Sequence, residues 1–438
     1  MSVFEVLEVS ISPQAREVLL DLSIDRPAPG DRGDTFTLPL EGWVLGREGQ
    51  PQRVEVVYRD RVIQSAALQW QPERVARTRP ELRERHPELP PDVRCGFLAA
   101  VGLLGLTPEF ELELRSRFDD GRTVPTATIR ARHEPLRTPR EPTLQPLLVT
   151  APARSGTTWL MKVLARHPSV VVFDRYPYES WPAKFWTHAL KVLTDPADFA
   201  NSSRVHGFDG DPFLIGHNPF FRFPAAQQPE LEAWLGRTHI ERMAAFFLDT
   251  IEDWYLTVAR IQGVERPRYF AEKQMTRLAF SPVLMRELYP RAKEVFLVRD
   301  FRDLACSLIS TQTDPETGET RAQLAGKTRE EYLRNDGRVV AQDFRDAWRE
   351  RGDRAHLVRY EELVLHPSRA VSELLAYLEL ERGPETVSAM LEAKTMSAHM
   401  TSPDAERSIG RWRREDQQFQ ALCEEVLRDV LDEFGYEP

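Results

Sequence analysis

Leu147–Pro168 reads LLVTAPARSGTTWLMKVLARHP. A short apolar stretch leads into small residues and then into TTWLMKVLARH, whose apolar spacing predicts a helix. A strand, a tight turn and a helix in that order set free amides and the positive end of a helix dipole against an anion. Aligned on the nucleotide triphosphatase pattern GxxxxGK[ST], Ala151 replaces the first glycine and Gly156 is kept. Thr157 stands where the lysine belongs, and Thr158 keeps the hydroxyl. The missing lysine would reach the β and γ phosphates, and the hydroxyl would hold magnesium. Arg154, two residues before the glycine, offers charge in a different place. Such a loop suits a ligand with a single bridging 5′ group, and no metal, better than it suits ATP.

A second stretch, EVFLVRDFRDLACSLIST, places Arg299 at the carboxyl end of an apolar strand and Ser307 eight residues on, inside the following helix. A guanidinium leaving a strand and a hydroxyl on the next helix converge on one phosphate at a sheet edge, where α/β folds place ligands. Read alone, Arg299 would pair at the surface with Asp300 or Asp303. Two such motifs, about 145 residues apart and each after an apolar strand, favour the phosphate.

Working outward, SVVVF follows the first helix as another strand and AHLVRYEELV supplies one more, so the region is α/β with a parallel sheet. Residues 180 to 265 are rich in aromatics and helical in character, consistent with an insertion capping the sheet's carboxyl edge. Residues 1–135 differ: FELELRSRFDDG alternates Phe110, Leu112 and Leu114 with charge before a turn, and TFTLPLEGWVLG and RVEVVYRDRVIQ are similar. This is an all-β module, a sandwich. Arg77–Pro90 reads as an irregular or helical connection. Between the two lies HEPLRTPREPTLQP, with Pro135, Pro139, Pro142 and Pro146 favouring an extended linker over 136–146, and the α/β domain takes 147–438.

The chain has 438 residues, a net charge of -10 and a pI near 5.6, which gives no general attraction to nucleic acid or anionic membrane. The N-terminus lacks the basic start and apolar core of a signal peptide, and CGFLAAVGLLGL is too short to span a bilayer. Cys95, Cys306 and Cys423 fit neither a disulfide framework nor a zinc site. A soluble protein of a reducing cytoplasm is the expectation.

With both motifs in view, RSGTTWL resembles the 5′-phosphosulfate loop of the sulfotransferases that use 3′-phosphoadenosine 5′-phosphosulfate (PAPS). The resemblance covers roughly residues 146 to 438. It implies a P-loop-like three-layer α/β domain with a parallel sheet, the sulfotransferase fold, preceded here by the β-sandwich. It further implies that Arg154, Ser155, Gly156, Thr157 and Thr158 bind the 5′ group, that Trp159 stacks on adenine, and that Arg299 and Ser307 hold the 3′-phosphate. Arg154 matches the bacterial and tyrosylprotein branches, whereas many cytosolic members carry lysine. Tyr360, in LVRYEEL, would lie near the adenine, and Arg407, Gly410 and Arg411, in RSIGRWRRE, match the segment that closes over the nucleotide. PAPS is then the co-substrate, with no metal, and the acceptor is a small molecule or a glycan.

Sulfuryl transfer needs a cation at the moving group and a base for the acceptor. Lys273, in RYFAEKQM, stands where the family carries a lysine near the sulfuryl group, and only seven of the 58 basic residues are lysines. The cytosolic members' histidine two residues later is Met275 here. Bacterial and tyrosylprotein members use a carboxylate beyond the strand after the loop helix. VVVFDRYPYESW offers Glu179, beyond the YPY turn, and Asp174, which can simply pair with Arg175; Glu272 is a further rival. Glu179 is the preferred base. His188, His206, His217 and His239 show no metal-ligand spacing and read as structural or acceptor-lining, with His217, in IGHNPFF, the one of most interest for a catalytic part. The rival readings are a P-loop kinase or hydrolase, disfavoured by the missing lysine, and a non-catalytic binder whose sandwich recognises carbohydrate or protein. The sandwich's own role is docking or substrate presentation by analogy.

Overall fold

The computed structural model describes residues 2–69, 80–175, 178, 180–196, 229–274, 281–312, 327–351, 354–392 and 405–437. The described residues of Met1–Glu141, Lys184–Leu248 and Ala279–Leu288 form one compact unit, and those of Pro142–Ala183, Asp249–Leu278 and Tyr289–Pro438 form a second.

The first unit is built on β1 (Phe4–Ile11), β2 (Leu19–Arg26), β3 (Arg32–Gly33), β4 (Thr37–Gly46), β5 (Pro51–Tyr58), β6 (Arg61–Ala67), β7 (Gly96–Gly102), β8 (Glu109–Phe118) and β9 (Thr123–His133). They form two antiparallel sheets, β3-β1-β9-β8-β5-β6 and β2-β4-β7. Strand β8 shows why: Phe110, Leu112, Leu114 and Phe118 are buried while Glu111 and Arg117 face solvent, the period of a half-covered strand. Leu38, Leu40 and Phe97 of the smaller sheet share one core with Val54, Leu112 and Ile129 of the larger, which makes the module a sandwich. The β5–β6 hairpin turns on Arg59 and Asp60, both left-handed at φ 48° and 61°, as a two-residue turn that follows strand twist demands. Residues Glu81–Arg85 form a short helix within the expected connection. Two long helices, Pro182–Thr194 and His239–Gln262, contribute Trp186 and Phe247 to this unit, stacked with ring centroids 5.3 Å apart.

The second unit holds a five-stranded parallel sheet made of β10 (Gln145–Thr150), β11 (Val170–Val171), β12 (Tyr269–Gln274), β13 (Lys293–Val298) and β14 (His356–Arg359), in the order β11-β12-β10-β13-β14. Both faces are covered. Val295 and Leu297 of β13 join Leu147, Val149, Leu160 and Leu374 on one side, while Phe296 and Val298 join Phe344, Val426 and Leu431 on the other. Three layers result, as a parallel sheet requires. β11 and β12 lie to one side of β10, and β13 and β14 to the other, so the chain changes direction across the sheet there and the loop leaving the carboxyl end of β10 opens where α/β sheets bind ligands.

One local reading differs from this arrangement. LVRYEEL is a strand only to Arg359, and Tyr360 opens the Tyr360–Leu365 helix. YFAEKQ, with three polar residues in a row and no element assigned to it by its pattern, is a fully buried strand between β11 and β10.

Candidate active site

The loop after β10 is held in shape by two left-handed residues, Arg154 at φ 71° and Gly156 at φ 87°. For glycine this conformation is free; for arginine it costs on the order of 1 kcal/mol, and such strain gathers at ligand loops. Gly156 caps the Thr157–Leu164 helix, and a Cβ there would lie 2.6 and 2.7 Å from ring carbons of Tyr360. The glycine is therefore required twice over, by its backbone and by the ring packed on it.

Arg299 follows β13 and turns back to this loop. Its guanidinium donates to the Arg154 carbonyl at 3.1 Å and to the Ser408 carbonyl at 2.7 Å, and lies 4.6 Å from the centroid of the Tyr360 ring. Arg154 in turn donates from Nε to Ser307 Oγ at 3.4 Å. Arg299 thus pairs with neither Asp300 nor Asp303 in the way a surface arginine would. Arg302 takes Asp300 at 2.9 Å instead. Asp303, fully buried, accepts the Gly410 amide at 2.7 Å and the Trp412 amide at 3.0 Å, one on each carboxylate oxygen. Burial pushes the Asp303 carboxyl above its usual range, although both amides pull it down.

That clasp fixes the turn that carries Ser408. Gly410 is left-handed at φ 65° and starts a short 3-10 helix over Arg411–Arg414, whose Trp412 ring lies 3.9 Å from the Arg302 guanidinium. Ser408 Oγ donates to the Ala405 carbonyl at 2.6 Å. With its one proton committed there, it accepts from the Tyr360 hydroxyl at 3.0 Å. The segment's contact with Arg299 comes from a backbone carbonyl. The Arg407 side chain is exposed and that of Arg411 is half-buried.

Several buried polar atoms here have no hydrogen-bond partner: Ser155 Oγ, Arg299 Nε and Trp159 Nε1. Ser155 is fully buried and Arg299 is 5% exposed. An orphaned donor is costly in a folded protein and rare except where a ligand completes it. Buried donors around a loop whose helix amides also point outward fit a phosphorylated anion. Trp159 is half-buried against the core of the same unit, and Thr157 and Thr158 are half-buried in the first helical turn.

Lys273 reaches the site from β12, the strand beside β10, where it stands in register with Val149. Its ammonium donates to Thr158 Oγ1 at 3.5 Å, and the residue is 8% exposed. Glu272, next along the strand, accepts from the Tyr255 hydroxyl and from the Ala183 amide at 2.9 Å, and is 2% exposed. Burial first, and then the neighbouring Glu272 charge, push the Tyr255 phenol well above its usual range, so it stays a donor. Asp174 is largely exposed, 4.0 Å from Arg175. Glu179 lies outside the described residues, as do Met275, His206 and His217. His188 is exposed, and His239 stacks on Trp234 at 5.3 Å. Among the described residues no group of three His, Cys, Asp or Glu side chains is placed to hold a metal.

Asp303, Ser408 and Trp412 were missed from the sequence. A carboxylate four residues after Arg299 and RSIGRW were visible, but nothing local tells that one clasps the backbone of the other.

The model of the sulfotransferase family matches residues 146–385. Among solved structures, the chain is similar to the sulfotransferase domain from the curacin biosynthetic pathway at 16% identity, covering 68% of this chain and 99% of that one, with a TM-score of 0.32. It is similar to the sulfotransferase domain of the Synechococcus PCC 7002 olefin synthase at 17% identity, covering 70% and 100%, with a TM-score of 0.36. It is also similar to mouse sulfotransferase SULT7A1 complexed with PAP, at 14% identity, 67% and 87% coverage, and a TM-score of 0.36. No curated protein matches the sequence.

Proposed function

The chain belongs to the sulfotransferase family, and on that footing we propose that it moves the sulfuryl group of PAPS to an acceptor hydroxyl on a small molecule or glycan. One observation carries the reading: Arg299 joins the phosphate loop to the Ser408 turn across the Tyr360 ring, so two motifs far apart in sequence close around one place. Arg154, Ser155, Gly156, Thr157 and Thr158 would hold the 5′ group with loop amides and one guanidinium. Arg299 and Ser307 would hold the 3′-phosphate, Trp159 and Tyr360 would bound the adenine, and the turn from Arg407 through Gly410 to Arg411 would cover it.

PAPS supplies the activated sulfuryl group and the leaving phosphate. The protein's part in such a transfer is positioning and charge stabilisation. Lys273, anchored on a buried strand beside Thr158, can follow charge moving from the transferring oxygens to the leaving group with its rotatable donors. Glu179 is the proposed base, taking the acceptor's proton at its carboxylate. With both Oε1 contacts of Glu272 satisfied by Tyr255 and Ala183, that carboxylate is better fitted to holding β12 against its neighbours.

The cytoplasm is the proposed location; no described helix is long and apolar enough to cross a membrane, and the three cysteines are free and buried. Residues 136–146 are proposed as the linker between a 1–135 module that docks or presents the acceptor and a 147–438 transferase domain, with first tryptic cleavage expected at Arg137. Thermal stabilisation by the 3′,5′-bisphosphate of adenosine, compared with ATP and magnesium, tests the nucleotide. Stabilisation by ATP alone would sink the proposal. Transfer of labelled sulfate from PAPS to a panel of glycans and phenols tests the reaction.

A further inference from the structure

Strands β10, β12 and β13 begin at Gln145, Tyr269 and Lys293, and around those beginnings the second unit encloses a cleft of about 650 Å³. The phosphate loop leaves the other end of the same strands, after Thr150, so the cleft is a different place on the same sheet. Its volume is that of a small-molecule site.

Charge decides what it would accept. Arg268, Arg291, Lys293 and Arg354 line it, and among the described lining residues Glu379 is the only carboxylate. Lys293 takes that carboxylate at 2.9 Å and lies 5.0 Å from the centroid of the Tyr377 ring. Arg268 donates to the Glu379 carbonyl at 2.8 Å, leaving the carboxylate to Lys293. A surplus of three positive charges in one concave region is notable in a chain whose net charge is -10. Concave basic surfaces concentrate anions from solution.

A second feature narrows the ligand. Gln145 is 7% exposed; its amide N–H donates to the Pro142 carbonyl at 2.8 Å, but its Oε1 is buried with no hydrogen-bond partner. A buried acceptor calls for an N–H or O–H. Inorganic sulfate, fully ionised, offers none, whereas a sugar bearing a phosphate or sulfate ester offers hydroxyls beside its charge. We propose that this cleft binds a small hydroxyl-bearing oxyanion ester, with the ester on the arginines and a hydroxyl on Gln145. The inference goes beyond the transfer reading and does not depend on it.

The full-length Arg154→Ala chain, in which the phosphate loop is weakened, serves as the background. Glucose 6-phosphate, glucose 6-sulfate, inorganic sulfate and glucose are titrated into it by calorimetry. Both esters should bind and glucose should not; a preference for one ester identifies the anion. Adding Arg268→Gln and Arg354→Gln should weaken the esters by about tenfold or more, the loss expected for charge-assisted hydrogen bonds. Gln145→Leu should weaken the esters while sparing inorganic sulfate. The proposal falls if neither ester binds this background, if the arginine changes leave binding intact, or if Gln145→Leu affects all anions equally. Should the double change lower the melting temperature, Arg354→Gln alone, at an exposed position, carries the same test.

Discussion

Arg299 and Arg154, separated by 145 positions in the chain, are joined by a hydrogen bond of 3.1 Å from the guanidinium of one to the backbone carbonyl of the other. The same guanidinium reaches Ser408. Lysine can supply the charge but not a planar fork that meets two carbonyls at once. Arg299→Lys should therefore lower affinity for the 3′,5′-bisphosphate by roughly tenfold to a hundredfold, measured by calorimetry. Unchanged affinity would remove Arg299 from the phosphate site.

Gly156 and Gly121 offer a matched pair. Both are left-handed, at φ 87° and 85°, but a Cβ at Gly121 meets nothing within 4 Å, whereas one at Gly156 strikes the Tyr360 ring. Gly121→Ala should cost about 1 kcal/mol from backbone strain alone. Gly156→Ala adds a clash and should cost at least about 1 kcal/mol more, read from urea unfolding midpoints. Equal costs would mean that the ring moves aside freely.

For Lys273, binding and turnover should part. Lys273→Met is expected to lower kcat by about a hundredfold or more while changing bisphosphate affinity little, because the role proposed for the ammonium is to serve charge that develops during transfer. Lys273→Arg should restore part of the rate. A loss confined to KM would place the residue in binding instead.

Asp303 predicts a pH dependence. Burial raises its carboxyl above the ordinary range in the folded chain. A carboxyl held higher when folded contributes stability that is fully present below its unfolded pKa and lost as pH rises through the folded one. In Asp303→Asn that titration is gone, so the stability of wild type relative to the variant should fall as pH rises from the ordinary aspartate range toward neutrality. Denaturation midpoints at several pH values would show it; a difference that grows with pH contradicts the assignment.

The cysteines should be silent. Burial pushes the Cys95 thiol up to about 11 and those of Cys306 and Cys423 up to about 12, so no thiolate exists near neutral pH. A chromogenic disulfide reagent should label none of the three in the native protein and all three in urea. Rapid native labelling at any of them would show that its burial is only transient.

Much of this was legible in the chain itself. An apolar run ending in small residues and a helical repeat gave β10 with its loop, and the same grammar gave β13 with the Phe301–Gln312 helix, because strand, turn and helix are local properties. The alternation of β8 marked the sandwich for the same reason. Strand β12 escaped, since Glu272, Lys273 and Gln274 in succession look like surface. Tyr255 and Ala183 meet Glu272 and Thr158 meets Lys273, contacts that no local pattern announces, while both side-chain polar atoms of Gln274 are buried with no hydrogen-bond partner among the described residues. The Ser408 contact was equally hidden, as a backbone carbonyl leaves no mark on residue identity.

Local pattern thus sufficed for β8, β10 and β13, for the loop between β10 and its helix, and for the arginine that follows β13. It took the folded chain to turn Arg299 to the loop and not to Asp300 or Asp303, to set Asp303 on the Ser408 turn, and to bury charged β12 beside β10. The physical reason is that periodicity and turn chemistry act over a few residues, whereas a buried charge is stable only where distant parts of the chain bring it a partner.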